Sequence, residues 1–200
     1  MSSAARRAET AIGVLFAIGS ACFFVGPFPG YLQLVGSSAD GMTFFVGSIF
    51  FTSAALIQFV GTRLTGGGSL DWWAGGIQFA GTLFFNVSTF EAMQDALGTK
   101  ATDRLVWAPD VFGSICFLVS SALAFRAANG SFWRRRHDDE DAGISFVNLL
   151  GSVAFGVSAI ASFVVPSTGD VLALGAANFT TAAGAGCFFA GALMLLPRRQ

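Results

Sequence analysis

This chain has little of what a water-soluble domain of its size displays on its surface. Its 200 residues include one lysine, one histidine and one tyrosine, and only 12% are charged. Ordinary globular chains carry about twice that charge. His137 lies in a charged run, so no haem or histidine-based metal site is expected within an apolar segment. Cys22, Cys116 and Cys187 are dispersed, odd in number and free of any C-x-x-C pair, which excludes a disulfide framework and points to packing. Gly66-Gly67-Gly68 lacks a following Lys-Ser/Thr and reads as a turn, not a phosphate cradle. The formal net charge of −1 offers no basic face for nucleic acid. No cofactor is implied.

What the chain has in quantity is apolar surface and glycine. Hydrophobic residues make up 54%, phenylalanine numbers 23 and glycine 25, and mean hydropathy is +0.66. So little polar surface cannot coat a soluble core, so the lipid bilayer is the expected solvent and partner. Crossing its hydrocarbon as a helix takes about 20 mostly apolar residues. Six stretches qualify: 11–29, 42–62, 72–92, 105–126, 144–165 and 171–196. Helices satisfy their own backbone hydrogen bonds, which lipid cannot do. The expected fold is therefore all-α and polytopic, with six transmembrane helices. Arg6 and Arg7 before an apolar run also suit a signal peptide, but no small-x-small cleavage site follows.

The chain divides into an N-terminus 1–10, helices over 11–126, a charged loop 127–143, two helices over 144–196 and a C-terminus 197–200. Turn residues mark the other connections: Pro29-Gly30 with Gly36-Ser37-Ser38, Thr65 to Ser69, Gly98-Thr99, and Pro166 to Gly169. With a cytoplasmic N-terminus, inside segments hold Arg6, Arg7, Arg63, Arg126, Arg134, Arg135, Arg136, Arg198 and Arg199. Outside segments hold only Lys100 and Arg104. The positive-inside rule therefore places both termini in the cytoplasm. Trp72, Trp73 and Trp133 inside, with Tyr31 and Trp107 outside, suit the two interfacial belts. Arg134 to Arg136 can touch anionic headgroups, although Asp138 to Asp141 neutralise much of their charge.

Every span carries one motif: Gly-small, two further residues, Phe, and a second small residue seven positions after the glycine. Its glycines are Gly19, Gly47, Gly81, Gly113, Gly151 and Gly184, and its phenylalanines Phe23, Phe51, Phe85, Phe117, Phe155 and Phe188. Positions i, i+4 and i+7 share a helical face, and helices in lipid associate through small residues that let backbones approach. The motif is read as helix packing. A three-plus-three duplication would make the halves inverted, a plan common in transporters. A two-helix hairpin unit is the other origin the motif allows.

Three residues before the glycine stand Phe16, Phe44, Gln78, Asp110, Asn148 and Thr181. Asp110 is the costliest of these at membrane depth, and Arg104 is its nearest cation in sequence. The candidate polar site comprises Gln78, Asn86, Asp110, Asn148 and Asn178, which could line a path for a small solute or ion. The leading expectation is thus a transporter- or channel-like protein. The alternative is a non-catalytic scaffold or accessory subunit whose polar and glycine stripes serve packing. Glu91 with Asp110 would be the acid and base of an intramembrane enzyme, but no catalytic constellation supports that class. Lipid-facing Phe and Leu stripes could also pair protomers in a homo-oligomer.

The stretch Thr43-Phe44-Phe45-Val46-Gly47-Ser48-Ile49-Phe50-Phe51 resembles the Gly-Ser-x-Phe-Phe string of the YrhK-like domain. Gln78 to Asn86 and Trp107 to Ser114 look like strings of longer bacterial membrane proteins carrying that domain. The resemblance spans the second to fourth apolar stretches and implies a bacterial inner-membrane protein of unestablished function. It supplies no catalytic residue.

Overall fold

The computed structural model describes residues 3–64, 66–94, 102–137 and 139–197. It contains seven α-helices: α1 (Ser3–Val25), α2 (Pro29–Val35), α3 (Ser37–Leu64), α4 (Ser69–Glu91), α5 (Ala108–Asn129), α6 (Glu140–Ala161) and α7 (Leu174–Met194). A single π-helical turn, Asp103–Trp107, leads into α5. An isolated antiparallel bridge, Val164 with Val171, ties the α6–α7 turn. Thr65, the Gly98-Thr99 connection with Lys100, Asp138, Arg198 and Arg199 lie outside the described residues.

Local chemistry sets the helix ends. Pro29 opens α2, where its missing N–H breaks no bond. Gly36 and Gly130 take positive φ (81° and 70°), which stops α2 and α5 without a Cβ clash. The Asp139 carboxylate accepts from the Asp141 and Ala142 amides at 3.0 and 3.4 Å and caps α6.

Four stretches are long and apolar enough to cross a membrane: Ala5–Val25, Ser37–Leu64, Arg104–Asn129 and Glu140–Ala161. The other two long helices, α4 and α7, fall outside that set. Asp71, Gln78 and Asn86 fall within α4, and α7 is built largely of Gly, Ala and Thr. The six long helices run 21–28 residues, or about 32–42 Å at 1.5 Å per residue.

These six form a closed ring in chain order, each packed against its neighbours, with α7 returning to α1. The charged loop after α5 separates four helices from two in sequence but not in space, because α5 packs on α6. Neighbours run antiparallel, so the ring has two ends. One gathers the described arginines other than Arg104, and the other carries α2, Trp107 and the bridge.

The motif glycines organise this ring as three hairpins. A Cβ at Gly19 would lie 2.9 Å from the Gly47 carbonyl oxygen and from the Phe51 ring. A Cβ at Gly47 would lie 2.8 Å from Cys22 Cβ and 3.0 Å from the Phe23 ring. The same reciprocal clasp joins Gly81 and Gly113 through Phe117 and Phe85, and Gly151 and Gly184 through Phe188 and Phe155. Each glycine thus opens a notch for its partner's phenylalanine. The six phenylalanines converge on the ring axis as one cluster. Centroid separations include 5.0 Å for Phe85–Phe117, 5.3 Å for Phe155–Phe188, 5.7 Å for Phe23–Phe51 and 6.0 Å for Phe51–Phe188. All six are buried, Phe117 to 2% exposure. Of these pairs all but Phe155–Phe188 meet edge-on, a geometry worth about 0.5–1.5 kcal/mol per pair beyond area burial.

Polarity is distributed inside out. Ser20, Ser48, Thr82, Ser114 and Ser152, each following a motif glycine, are buried. The outer faces carry Ile18, Ile49, Val60, Leu83, Val87, Phe112, Ile115, Val153, Ile160 and Phe179. Hydroxyls knit adjacent hairpins together. Ser48 and Thr89 share a hydrogen bond of 3.0 Å between α3 and α4, and Ser121 and Ser152 one of 2.7 Å between α5 and α6.

Candidate functional site

Alternating helix direction splits the polar stripe. On the outgoing helices α1, α4 and α6, the position three before the glycine lies toward the arginine-rich end; on the returning helices it lies toward the other. Phe16, Gln78 and Asn148 therefore gather at one end, and Phe44, Asp110 and Thr181 at the opposite end.

The first group lines a cavity of about 400 Å³. All six long helices contribute to its wall, which places it on the ring axis. Gln58, Gln78, Asn148, Ser121 and Ser145 supply amides and hydroxyls, Asp71 and Asp141 stand exposed at the mouth, and Phe16 and Phe188 close the floor. A side groove of about 300 Å³ between α3 and α4 shares Gln58, Asp71, Gln78 and Ala124. The Asn148 side chain fits because its neighbour is Gly191, where a Cβ would lie 2.5 Å from Oδ1.

The wall amides retain bonding capacity. Among the described residues, the side chains of Gln58 and Asn148 have no hydrogen-bond partner, and Gln78 Oε1 accepts only a long bond (3.5 Å) from Ser120 Oγ. The serines are occupied: Ser121 with Ser152, and Ser145 with the Ala142 carbonyl and Asn129. Of the five residues expected to form one site, the structure brings together Gln78 and Asn148.

The other three lie elsewhere. Asn86 sits between α3 and α4. With its amide oriented to satisfy both ends, Nδ2 donates to Ser48 Oγ (2.9 Å) and the Ser48 carbonyl (3.1 Å), while Oδ1 accepts from Thr52 (2.9 Å). It is a packing residue. Asp110 lies in the first turn of α5, eleven residues from Ser121 and so about 16 Å along the axis from that wall. Its carboxylate has no hydrogen-bond or ion-pair partner among the described residues, and Arg104 stands exposed in the π-turn without pairing to it. Glu91, in the last turn of α4, belongs to the same end. Asn178 is partly buried in the first turns of α7, also at that end. Thr181 bonds Ser158 at 2.5 Å.

The six-ring cluster separates these ends, with Phe188 facing the cavity as part of its floor. A straight polar path through the ring is therefore blocked at its middle. The expectation that Gln78, Asp110 and Asn148 share one path is corrected to two polar groups at opposite ends.

Sequence reasoning missed Gln58, Asp71, Ser121 and Asp141. The signal was register. On returning helices, the residues eight and eleven after the glycine reach the depth that outgoing helices reach three before it. Ser121 is the eighth after Gly113, and Gln58 the eleventh after Gly47.

Comparison with models of known protein families, with curated proteins and with solved structures finds no match to this chain.

Proposed function

We propose that this chain is a six-span integral membrane protein of the transporter- or channel-like class. It takes a small solute into the axial vestibule from the arginine-rich end and is closed by the phenylalanine cluster. The observation that carries this is the vestibule itself, a cavity of mixed polar and apolar lining walled by all six long helices and floored by an aromatic plug. Pockets of 300 Å³ and above are of small-molecule size.

Several features support the membrane setting. Helices α4 and α7 turn Leu83, Phe84, Val87, Phe90, Phe179 and Leu193 outward, as lipid-facing helices do. Their polar residues either face the cavity, as Gln78 does, or bond to neighbouring helices, as Thr181 does. The arginines make the vestibule end cytoplasmic, in a bacterial inner membrane. Kinship with the YrhK-like domain rests on strings that contain clasp residues, among them Gly47, Phe51, Gly81, Phe85 and Gly113.

The test is thiol accessibility in a chain whose Cys22, Cys116 and Cys187 are replaced by alanine. Gln78→Cys and Asn148→Cys should react with a membrane-impermeant maleimide applied from the arginine-rich side only, and Asp110→Cys should not react from that side. Full protection of Gln78→Cys and Asn148→Cys from both sides would sink the reading. One observation favours the scaffold alternative: the clasps and Asn86 make much of the motif structural. That alternative expects the protected result, together with capture of a membrane partner.

A further inference from the structure

The ligand class of the vestibule can be read from its wall, and this inference rests on the vestibule reading above. The cavity gathers Gln58, Gln78 and Asn148, three amides from three helices, of which two are unpartnered and one holds only a long bond. Phe16 and Phe188 supply aromatic rings at the floor. Asp71 and Asp141 are the carboxyl side chains of the lining, and among the described residues no arginine contributes to it.

Those carboxylates follow the repeat. Glu9, Asp71 and Asp141 each stand ten residues before the motif glycine, one on each outgoing helix. Glu9 lines a groove that shares Asp141, Ile144 and Leu195 with the vestibule. None of the three is in an ion pair among the described residues. Three of the arginines at this end are engaged outside the cavity: Arg135 stacks on Phe146 at 4.9 Å, Arg126 on Phe132 at 5.8 Å, and Arg136 pairs with Asp139 at 3.5 Å. An end rich in arginine thus presents an acidic mouth to its axis.

We propose that the vestibule binds a small organic ammonium ion. The carboxylate ring attracts the cation to the mouth, amide oxygens on the wall replace part of its water, and the floor phenylalanines face its charge at short range. A bare metal ion would leave most of the space unfilled, since about 400 Å³ corresponds to on the order of a dozen waters. A methylated or primary ammonium fits with part of its hydration shell.

The test places a single cysteine at Ala124, a wall residue with no polar role, in the full chain lacking its native cysteines and reconstituted in nanodiscs. Three methanethiosulfonates of similar size are compared: trimethylammonioethyl (cationic), sulfonatoethyl (anionic) and a neutral alkyl reagent. Rates are referred to the same reagents on a small free thiol. The cationic reagent should outpace the anionic one by at least about tenfold. The combined E9Q, D71N and D141N substitutions should bring the two within about threefold and leave the neutral reagent unchanged. Should that variant fail to fold, raising ionic strength from about 0.05 to about 0.5 M serves instead, because the screening length falls from about 14 to about 4 Å. Saturating tetramethylammonium should slow the neutral reagent about tenfold, as an occupant of the same cavity, whereas methanesulfonate should not. Reaction with the neutral reagent but without charge preference, or without tetramethylammonium protection, overturns the ammonium assignment and leaves the vestibule standing. No reaction with any reagent overturns both.

Discussion

The two ends of the ring are built from the same register positions and put them to different use. Toward the arginine-rich end, the residues three before the glycine are Phe16, Gln78 and Asn148, and they stand around open space. Toward the other end, Phe44 packs on Phe23 at 5.4 Å and fills the notch at Gly26, while Thr181 bonds Ser158. One repeat therefore yields a filled end and a hollow one. Between them the clasps are uniform. Packing fixes the middle, and side-chain choice at one register position leaves room for a ligand at one end.

Substitutions can break that contrast, starting with the most damaging. Gly184→Leu puts a side chain where a Cβ would already meet Phe155 at 2.6 Å and the Gly151 carbonyl oxygen at 2.9 Å. Backbone cannot yield as a flexible side chain can, so a loss above about 3 kcal/mol is expected, read as collapse of the monodisperse peak on size-exclusion chromatography. Phe117→Ala removes the most buried ring of the plug and should cost about 3–5 kcal/mol, measured by denaturant unfolding in mixed micelles. An unchanged midpoint would contradict a central role for that ring.

Asn148→Leu should leave the unfolding midpoint within about 1 kcal/mol, because the amide has no partner to lose. It should slow modification of Ala124→Cys about tenfold by filling the cavity. Ala192→Ser is expected to stabilise. Ser20 Oγ is buried without a partner, and Ala192 holds on α7 the register of Thr89 and Ser121, eight after the glycine. A new hydroxyl pair there should add about 1 kcal/mol, seen as a higher midpoint that Ser20→Ala abolishes. Smallest of all is Asp110→Asn, at the filled end. It replaces a partly buried carboxylate that has no partner among the described residues, so it should not lower stability, and it should leave Ala124→Cys labelling unchanged. A large change in that labelling would rejoin the two ends into one path.

Much of this fold was legible because long apolar stretches read directly as helices and the motif repeats in every long helix. Six helices with close glycine contacts follow from those features, and Gly47 or Gly151 could be named before any neighbour was known. Which helix each glycine meets was not legible, because a stripe on one helix carries no partner address. The hairpin pairing of Gly19 with Gly47 comes from chain order and tertiary closure. The site was half visible. Gln78 and Asn148 were found as polar residues in apolar spans, but Asp110 was grouped with them because a shared motif position looks equivalent until helix direction is applied. Asp71 and Asp141 resembled ordinary helix starts, which they also are.

The ring also has a seam. Hydroxyl pairs tie α3 to α4 and α5 to α6, whereas among the described residues no side-chain hydrogen bond crosses from α7 to α1, and Ser20 is left alone. Synthesis runs from α1 to α7, so this junction is also the last that can form. The closing joint is held by shape, through Gly13 against Ala192 and Leu196 and Phe24 against Gly186. A circle whose final joint carries no polar latch is made last and parts first, and lipid pressure or a docking helix would find its way in between α1 and α7.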